Sequence, residues 1–191
     1  VKKLVLLGDV FEFFLGTRSY FHKKFFKIGA SLESLVSKGV DVVFVQGNHE
    51  FFLENVQWKG ISFVSQRDFL MYLSPQDGLM LTHGDQLDNS FFYQIYLRFM
   101  RSTFLKYVTY LLPVALLDVL CLKIAERSRM RSAHKKIPHK KILEKIISWV
   151  EKKNFKLAVV GHFHVPYDYV CPQKNIRVLG LDSWEKPSFL A

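Results

Sequence analysis

Four short apolar runs in this chain each end where a glycine sits beside a residue able to hold a metal. They are Lys3–Leu7 before Gly8-Asp9, Val40–Val45 before Gly47-Asn48-His49-Glu50, Leu79–Thr82 before His83-Gly84-Asp85, and Leu157–Val160 before Gly161-His162-Phe163-His164. Short apolar, β-branched runs bounded by glycine read as buried strands. Strands covered on both faces belong to parallel sheets, where the loops past the strand C-termini form the ligand crevice. The pattern therefore calls for an α/β fold with Asp9, Asn48, His49, His83, His162 and His164 gathered at one sheet edge. Glycine beside or near each of them lets the backbone turn sharply enough to point a side chain inward.

Between the first two runs, Phe21, Phe25, Ile28, Leu32 and Leu35 recur at helical spacing. They predict a helix over Phe21–Ser37 that stops at Gly39, and hence a parallel βαβ unit. Ile61–Val64, Phe69–Leu73, Tyr167–Val170 and Ile176–Leu179 are further candidate strands. Residues 90–153 contain no glycine and read as helix throughout, interrupted at Pro113 and Pro138. The expected plan is one domain over residues 1–191, an α/β core with a helical insertion at about 90–153. The chain opens almost inside a strand, at Val1, which predicts a further strand upstream.

An Asp, an Asn and three His form a mixed oxygen and nitrogen donor set, suited to Mn, Fe or Zn rather than Ca. Cys121 and Cys171 are far apart and lack metal spacing. They argue against a disulfide framework and for a reducing compartment.

The charge is concentrated. The chain has 27 Lys+Arg against 17 Asp+Glu, a formal +10, yet residues 98–141 hold eleven of the bases and two acids, Asp118 and Glu126. Phe104–Ala125 in the same stretch is mostly apolar, interrupted by Lys106, Pro113, Asp118 and Lys123. A membrane span needs about 20 apolar residues with few charges, so the expectation is a helix–Pro–helix hairpin. Such a hairpin suits an anionic membrane surface, or a lid that accepts acyl chains. Packing of Leu111, Leu112, Leu116 and Leu120 on the core is the other reading. The 18 Phe point the same two ways, to a lipid-facing surface or a very aromatic core. A basic segment also suits a nucleic-acid backbone. However, nucleic-acid grooves pair cations with polar or stacking surfaces, and an aliphatic hairpin argues against that partner.

The ordered set Gly-Asp, Gly-Asn-His-Glu, His-Gly-Asp and Gly-His-x-His resembles the calcineurin-like metallophosphoesterases over essentially the whole chain. The resemblance implies a two-sheet α-β-β-α sandwich with two divalent metals at the sheet edge. It implies that Asp9 bridges both metals, that Asn48, His83 and His162 complete one, and that His164 binds the other. His49 would stand beside the phosphate as general acid or charge stabiliser, with Glu50 orienting it. The family opens with Asp-x-His on the strand before Gly-Asp, a pair this sequence lacks, so the resemblance puts it upstream. Two such metals activate water and clamp phosphoryl oxygens for in-line attack.

Within that superfamily, Gly8-Asp9-Val10-Phe11-Glu12-Phe13, His83-Gly84-Asp85-Gln86-Leu87-Asp88, Tyr93-Gln94, the Leu-Pro hairpin, Ile124-Ala125, and Arg129 with Ser132 look like the UDP-2,3-diacylglucosamine pyrophosphatase family. That family serves lipid A synthesis in Gram-negative bacteria. The resemblance implies cleavage of a lipid-linked nucleotide sugar to UMP and 2,3-diacylglucosamine 1-phosphate, with manganese as metal. It further implies a cytoplasmic protein, peripheral on the inner membrane, whose insertion covers the substrate. Substrate contacts would come from Asp88 or Asn89, Tyr93, Arg129 and Ser132. A guanidinium such as Arg129 can grip phosphate with paired hydrogen bonds. Two other readings fit the residues: a metallophosphoesterase acting on another phosphodiester or nucleic acid, and a non-catalytic interaction module on the same fold.

Overall fold

The structure, a computed structural model, describes residues 1–64, 71–74, 78–87, 90–132 and 140–183. The elements in chain order are β1 (Lys3–Leu6), β2 (Phe14–Leu15), α1 (Ser19–Lys24), α2 (Phe26–Ser37), β3 (Asp41–Val45), β4 (Glu50–Phe51), β5 (Ile61–Val64), β6 (Met71–Ser74) and β7 (Leu79–Thr82). They continue with α3 (Phe91–Met100), α4 (Thr103–Leu111), α5 (Val114–Ser132), α6 (Lys140–Lys152), β8 (Leu157–Val160), β9 (Tyr167–Cys171) and β10 (Ile176–Gly180). The fold is α/β, as the sequence predicts.

Two sheets carry the core. One has order β1-β3-β5 and is parallel. The other has order β6-β7-β8-β10-β9, parallel at its centre, with antiparallel strands at both edges. Side chains alternate between faces along a strand, and the burial follows that alternation. Val43 and Val45 of β3 meet Leu81 of β7 and Val159 of β8 in a layer between the sheets. Val42 and Phe44 face the opposite way, into a cluster with Phe21 and Leu32. Met80, Ala158, Val160, Ile176 and Val178 face away from the first sheet, against Leu143, Ile146, Ile147 and Val150 of α6. The i, i+3, i+4, i+7 spacing of those α6 residues gives the helix one apolar stripe and seats it on the second sheet. Helices thus cover both outer faces.

The helix predicted over Phe21–Ser37 is two helices. Phe25 between them leaves helical geometry at φ −107°, ψ 20°, and its ring packs on Phe11 and Phe14. Local spacing could not show that this position belongs to the aromatic core rather than to a helix repeat. The helix predicted from residue 90 to Pro113 has a further interruption at Arg101-Ser102, where the Ser102 hydroxyl accepts the Leu105 N–H and starts α4. The break at Pro113 is as expected, with Leu112 extended before the proline. Pro138 and part of the strand predicted at Phe69–Leu73 lie outside the described residues. Among the described residues no helix is long and apolar enough to cross a membrane.

The phenylalanines divide between both expected fates. Phe11 lies within 6.1 Å, ring to ring, of Phe14, Phe25, Phe44 and Trp58. Phe91, Phe92, Phe99 and Phe104 stand on the helices between β7 and α6 and are exposed, Phe92 by 81%. Leu111, the last residue of α4, is 85% exposed. The leucines split too: Leu112 packs on the core, while Leu116 and Leu120 are exposed.

Candidate metal centre

The parallel register sets the strand ends level. Leu6 of β1 pairs with Phe44 of β3, and Thr82 of β7 pairs with Val160 of β8. Each strand therefore delivers its polar loop to the same edge. Asp9 and Asn48 come from the first sheet, His83 and His162 from the second.

These four side chains converge. Nε2 of His83 lies 3.3 Å from Asp9 Oδ2, 3.0 Å from Asn48 Oδ1 and 3.3 Å from His162 Nδ1. Asp9, His83 and His162 each offer a ligand atom, all within 4.8 Å of one another. Ligand atoms held by one cation at about 2.1 Å stand roughly 3.0–3.4 Å apart in octahedral or tetrahedral geometry. The observed spacings match. The other nitrogen of His83, Nδ1, bonds the Leu7 carbonyl at 2.7 Å. A carbonyl only accepts, so Nδ1 carries the proton and Nε2 is left to face the cluster, the arrangement metal-bound histidines adopt.

The turns are tight. Asp9, His162 and His164 all have positive φ, at 51°, 65° and 54°. That region is uncommon for residues with a side chain and collects at functional sites. Gly8 and Gly47 allow the two loops of the first sheet to touch. A Cβ on Gly8 would fall 2.6 Å from the Gly47 backbone, and one on Gly47 would fall 2.3 Å from Asp9 Oδ1.

Electrostatics follow the crowding. Burial disfavours the Asp9 charge, but His83, His49 and His162 outweigh it and hold the carboxyl well below the usual range. Burial likewise opposes a charge on His83, but the charge and hydrogen bond of Asp9 prevail and lift the ring to about 9. Acceptors that would stabilise a proton on Nε2 are those a cation would take over.

Glu50 does something the sequence did not indicate. It was expected to orient His49. Its fully buried carboxylate instead accepts the backbone N–H groups of Asp9 (2.9 Å), Gly47 (2.9 Å) and Phe11 (3.2 Å). It ties together the two loops that carry Asp9 and Asn48. Pairing of β4 with β2 puts it there: Phe14 sits opposite Glu50, and the Phe14 N–H bonds the His49 carbonyl at 2.8 Å. Burial and the Asp9 charge push the Glu50 carboxyl up, while the Asp9 and Phe11 N–H groups pull it back.

His49 donates its backbone N–H to Asp9 Oδ1 at 3.0 Å. Its ring lies between Glu12, whose carbonyl is 2.6 Å from Nδ1, and the Ser128 hydroxyl, 2.8 Å from Nε2. His164 sits two residues past His162 and is not among the three clustered ligand atoms. Tyr93 on α3 is brought close, its ring centroid 6.1 Å from that of His162. Asp88 and Asn89 lie outside the described residues, and the side chains of Arg129 and Ser132, on α5, do as well.

One further pair escaped the sequence. Arg101 is one of the eleven bases of residues 98–141. It reaches inward to the fully buried Asp85 at 2.5 Å, with the Gly47 carbonyl 3.5 Å away. The signal available was Asp85 itself, an acid directly after His83-Gly84 with no acidic partner role in the ligand set.

No protein-family model matches the chain. Curated relatives do. The chain is 28% identical to the UDP-2,3-diacylglucosamine hydrolase of Blochmanniella pennsylvanica, over 97% of this chain and 76% of that protein. It is 25% identical to the UDP-2,3-diacylglucosamine hydrolase of Aeromonas hydrophila, over 95% and 76%. It is also 25% identical to that of Wigglesworthia glossinidia brevipalpis, over 97% and 75%. Coverage of this extent takes in the helices between β7 and β8 as well as both sheets.

Proposed function

We propose that this protein is a metal-dependent hydrolase that cleaves the pyrophosphate of UDP-2,3-diacylglucosamine, releasing UMP and 2,3-diacylglucosamine 1-phosphate. The observation that carries the reading is the convergence of Asp9, Asn48, His83 and His162 at the strand ends of two facing sheets. Relatives named for that substrate, matched across sheets and insertion alike, support the choice of phosphoester. The two sheets with helices on both outer faces support a metallophosphoesterase-type sandwich.

The donor set fits a divalent cation of the Mn, Fe or Zn class, and we assign two such ions, manganese by preference. When bound, they supply Lewis-acid polarisation of phosphoryl oxygens and a water acidic enough to attack phosphorus. Asp9, Asn48, His83 and His162 would hold one ion, and His164 would serve the second. The chain does the rest. The Leu7 carbonyl fixes the tautomer of His83, and Glu50 fixes the loop separation. The backbone N–H of His49 bonds Asp9, and its ring would offset charge developing on the phosphoryl group.

The insertion supports a lipid-linked substrate. Exposed Phe91, Phe92, Phe99, Phe104, Tyr107 and Leu111 accompany exposed Arg98, Lys123 and Arg127 on α3, α4 and α5. Apolar side chains flanked by cations suit the surface of an anionic bilayer. We place the protein peripherally on such a surface, with α3 to α5 as a lid over the substrate.

Incubation with UDP-2,3-diacylglucosamine and Mn²⁺, followed by ³¹P NMR, is the test. Release of UMP is expected, and its loss in Asp9→Asn. Metal-loaded protein that leaves this substrate intact overturns the assignment. Hydrolysis of bis(p-nitrophenyl) phosphate alone would transfer it to another phosphodiester.

A further inference from the structure

We propose that Arg101, at the joint between α3 and α4, is a positioning residue that sets the spacing of Asn48 and His83 in the metal centre. The inference rests on the reading of Asp9, Asn48, His83 and His162 as a cation site. One nitrogen of Arg101 serves both sheets. Nη2 donates to Asp85 Oδ2 at 2.5 Å and lies 3.5 Å from the Gly47 carbonyl. Asp85 stands two residues past His83, in the loop after β7, and Gly47 directly precedes Asn48, in the loop after β3. The two ligands so bracketed stand 3.0 Å apart, His83 Nε2 to Asn48 Oδ1. The Gly47 peptide is thereby held at both ends, its N–H by Glu50 Oε2 and its carbonyl by Arg101.

The form of the pair points to this use. A guanidinium and a carboxylate commonly pair side by side, through two parallel hydrogen bonds. Here they meet through Nη2 and Oδ2, and among the described residues Asp85 Oδ1 and Arg101 Nε are buried without a hydrogen-bond partner. Leaving buried polar atoms unpaired is unfavourable, so stability alone does not select this arrangement. It does leave Nη2 within reach of the Gly47 carbonyl. The insertion is meanwhile fastened elsewhere. The Thr109 hydroxyl lies 2.9 Å from that of Thr17, Arg18 donates to the Tyr110 carbonyl at 2.9 Å, and Lys106 pairs with Glu54 at 3.0 Å. Loss of the Arg101 side chain therefore leaves α4 seated and acts on the two ligand loops.

The charge of Asp85 also bears on His83, so the test separates position from charge. It is calorimetric Mn²⁺ binding to the full chain, with thermal unfolding of the metal-free protein, for the parent, Asp85→Asn and the Asp85→Leu/Arg101→Met double variant. Asp85→Asn keeps an acceptor oxygen for Nη2 but removes the counter-charge of a buried guanidinium. Its Tm should fall, and its Mn²⁺ affinity should stay close to that of the parent. The double variant leaves no charge unpaired, so its Tm should stay close to that of the parent. It has no bridge to Gly47, and its Mn²⁺ affinity should fall about tenfold, as when a partner behind metal ligands is removed. A role through charge alone predicts the reverse, because Asp85→Asn makes the surroundings more positive and the double variant leaves their net charge unchanged. Parent-like Mn²⁺ affinity in the double variant overturns the proposal, and so does a larger loss in Asp85→Asn than in the double variant. A parent that binds no Mn²⁺ overturns the cation site and this proposal with it. Mn²⁺ binding does not depend on which phosphoester is the substrate, so a failed UMP assay is distinguishable from a failure here.

Discussion

The carboxylate of Glu50 accepts the backbone N–H of Asp9 at 2.9 Å, and the same oxygen accepts the N–H of Gly47 at the same distance. One buried atom thus sets the gap between the loop that presents Asp9 and the loop that presents Asn48. Glu50→Gln exchanges one acceptor oxygen for a donor and leaves at least one N–H unpaired. The expected loss is about 1–3 kcal/mol of stability and roughly 10- to 100-fold in Mn²⁺ affinity, the usual effect of removing a partner behind metal ligands. Thermal unfolding and Mn²⁺ calorimetry on the same samples check both. Unchanged affinity with a lowered Tm would reduce Glu50 to packing.

Arg101 and Asp85 form a pair in which Asp85 is fully buried. Arg101→Met strands the Asp85 charge and should cost about 3–5 kcal/mol. Arg101→Met with Asp85→Leu removes both charges and should recover most of that loss. Urea unfolding of the three proteins decides it; a double variant as unstable as the single one refutes the account.

Metal binding should be visible without turnover. A cation that binds the folded chain alone raises its stability, by about 2.7 kcal/mol at a hundredfold excess over Kd. Mn²⁺ should therefore raise the Tm of the parent and leave Asp9→Asn and His83→Ala almost unmoved. A chelator should reverse the shift and abolish UMP release, and added Mn²⁺ should restore both.

Asp118 links α5 to α1. It accepts from Lys24 Nζ and from the Tyr20 hydroxyl, each at 2.9 Å. The Lys24 hydrogen bond, against the cost of burial and helped by Tyr20, lowers the Asp118 pKa below its ordinary 3.8. A lowered carboxyl pKa stabilises the fold above the ordinary value, and the gain is lost as pH falls through the folded value. Asp118→Asn should cost about 0.2–1 kcal/mol at neutral pH, as partly exposed ion pairs do. The difference from the parent should close as pH drops below 3.8. Chemical denaturation across that range measures it.

Phe92 and Phe104 are 81% and 68% exposed. Replacing both with Gln should leave the Tm unchanged. Burying one Phe is worth about 1.5–3 kcal/mol, so binding to phosphatidylglycerol vesicles should fall at least tenfold. Added salt should weaken what remains through the exposed cations. Undiminished sedimentation with vesicles refutes a role for these rings.

The sequence disclosed what depends on local pattern. The strand ends, the helices between β7 and β8, the break at Pro113 and the members of the cation cluster all follow from periodicity, glycine, proline and residue chemistry. It did not disclose what depends on partners distant along the chain. Phe25 leaves the helix because Phe11 and Phe14 receive its ring. Glu50 turns from His49 to the backbone because the short β2–β4 pair positions it there. Arg101 is one base among eleven in its stretch of sequence, and only the fold brings it beside Asp85. Runs of two residues such as β2 and β4 carry no periodicity to detect.

The four clustered ligands also fix an order in time. Asp9 and Asn48 leave the ribosome early, yet His162 follows the whole insertion and takes its place only when β8 has joined β7 and β10. Synthesis proceeds at about 5–20 residues per second, so Asp9, Asn48 and His83 exist for seconds before His162 is made. A cation that needs all four donors would therefore be held only by chains translated past His162. A product cut short in the insertion would keep three of the donors and lack the fourth.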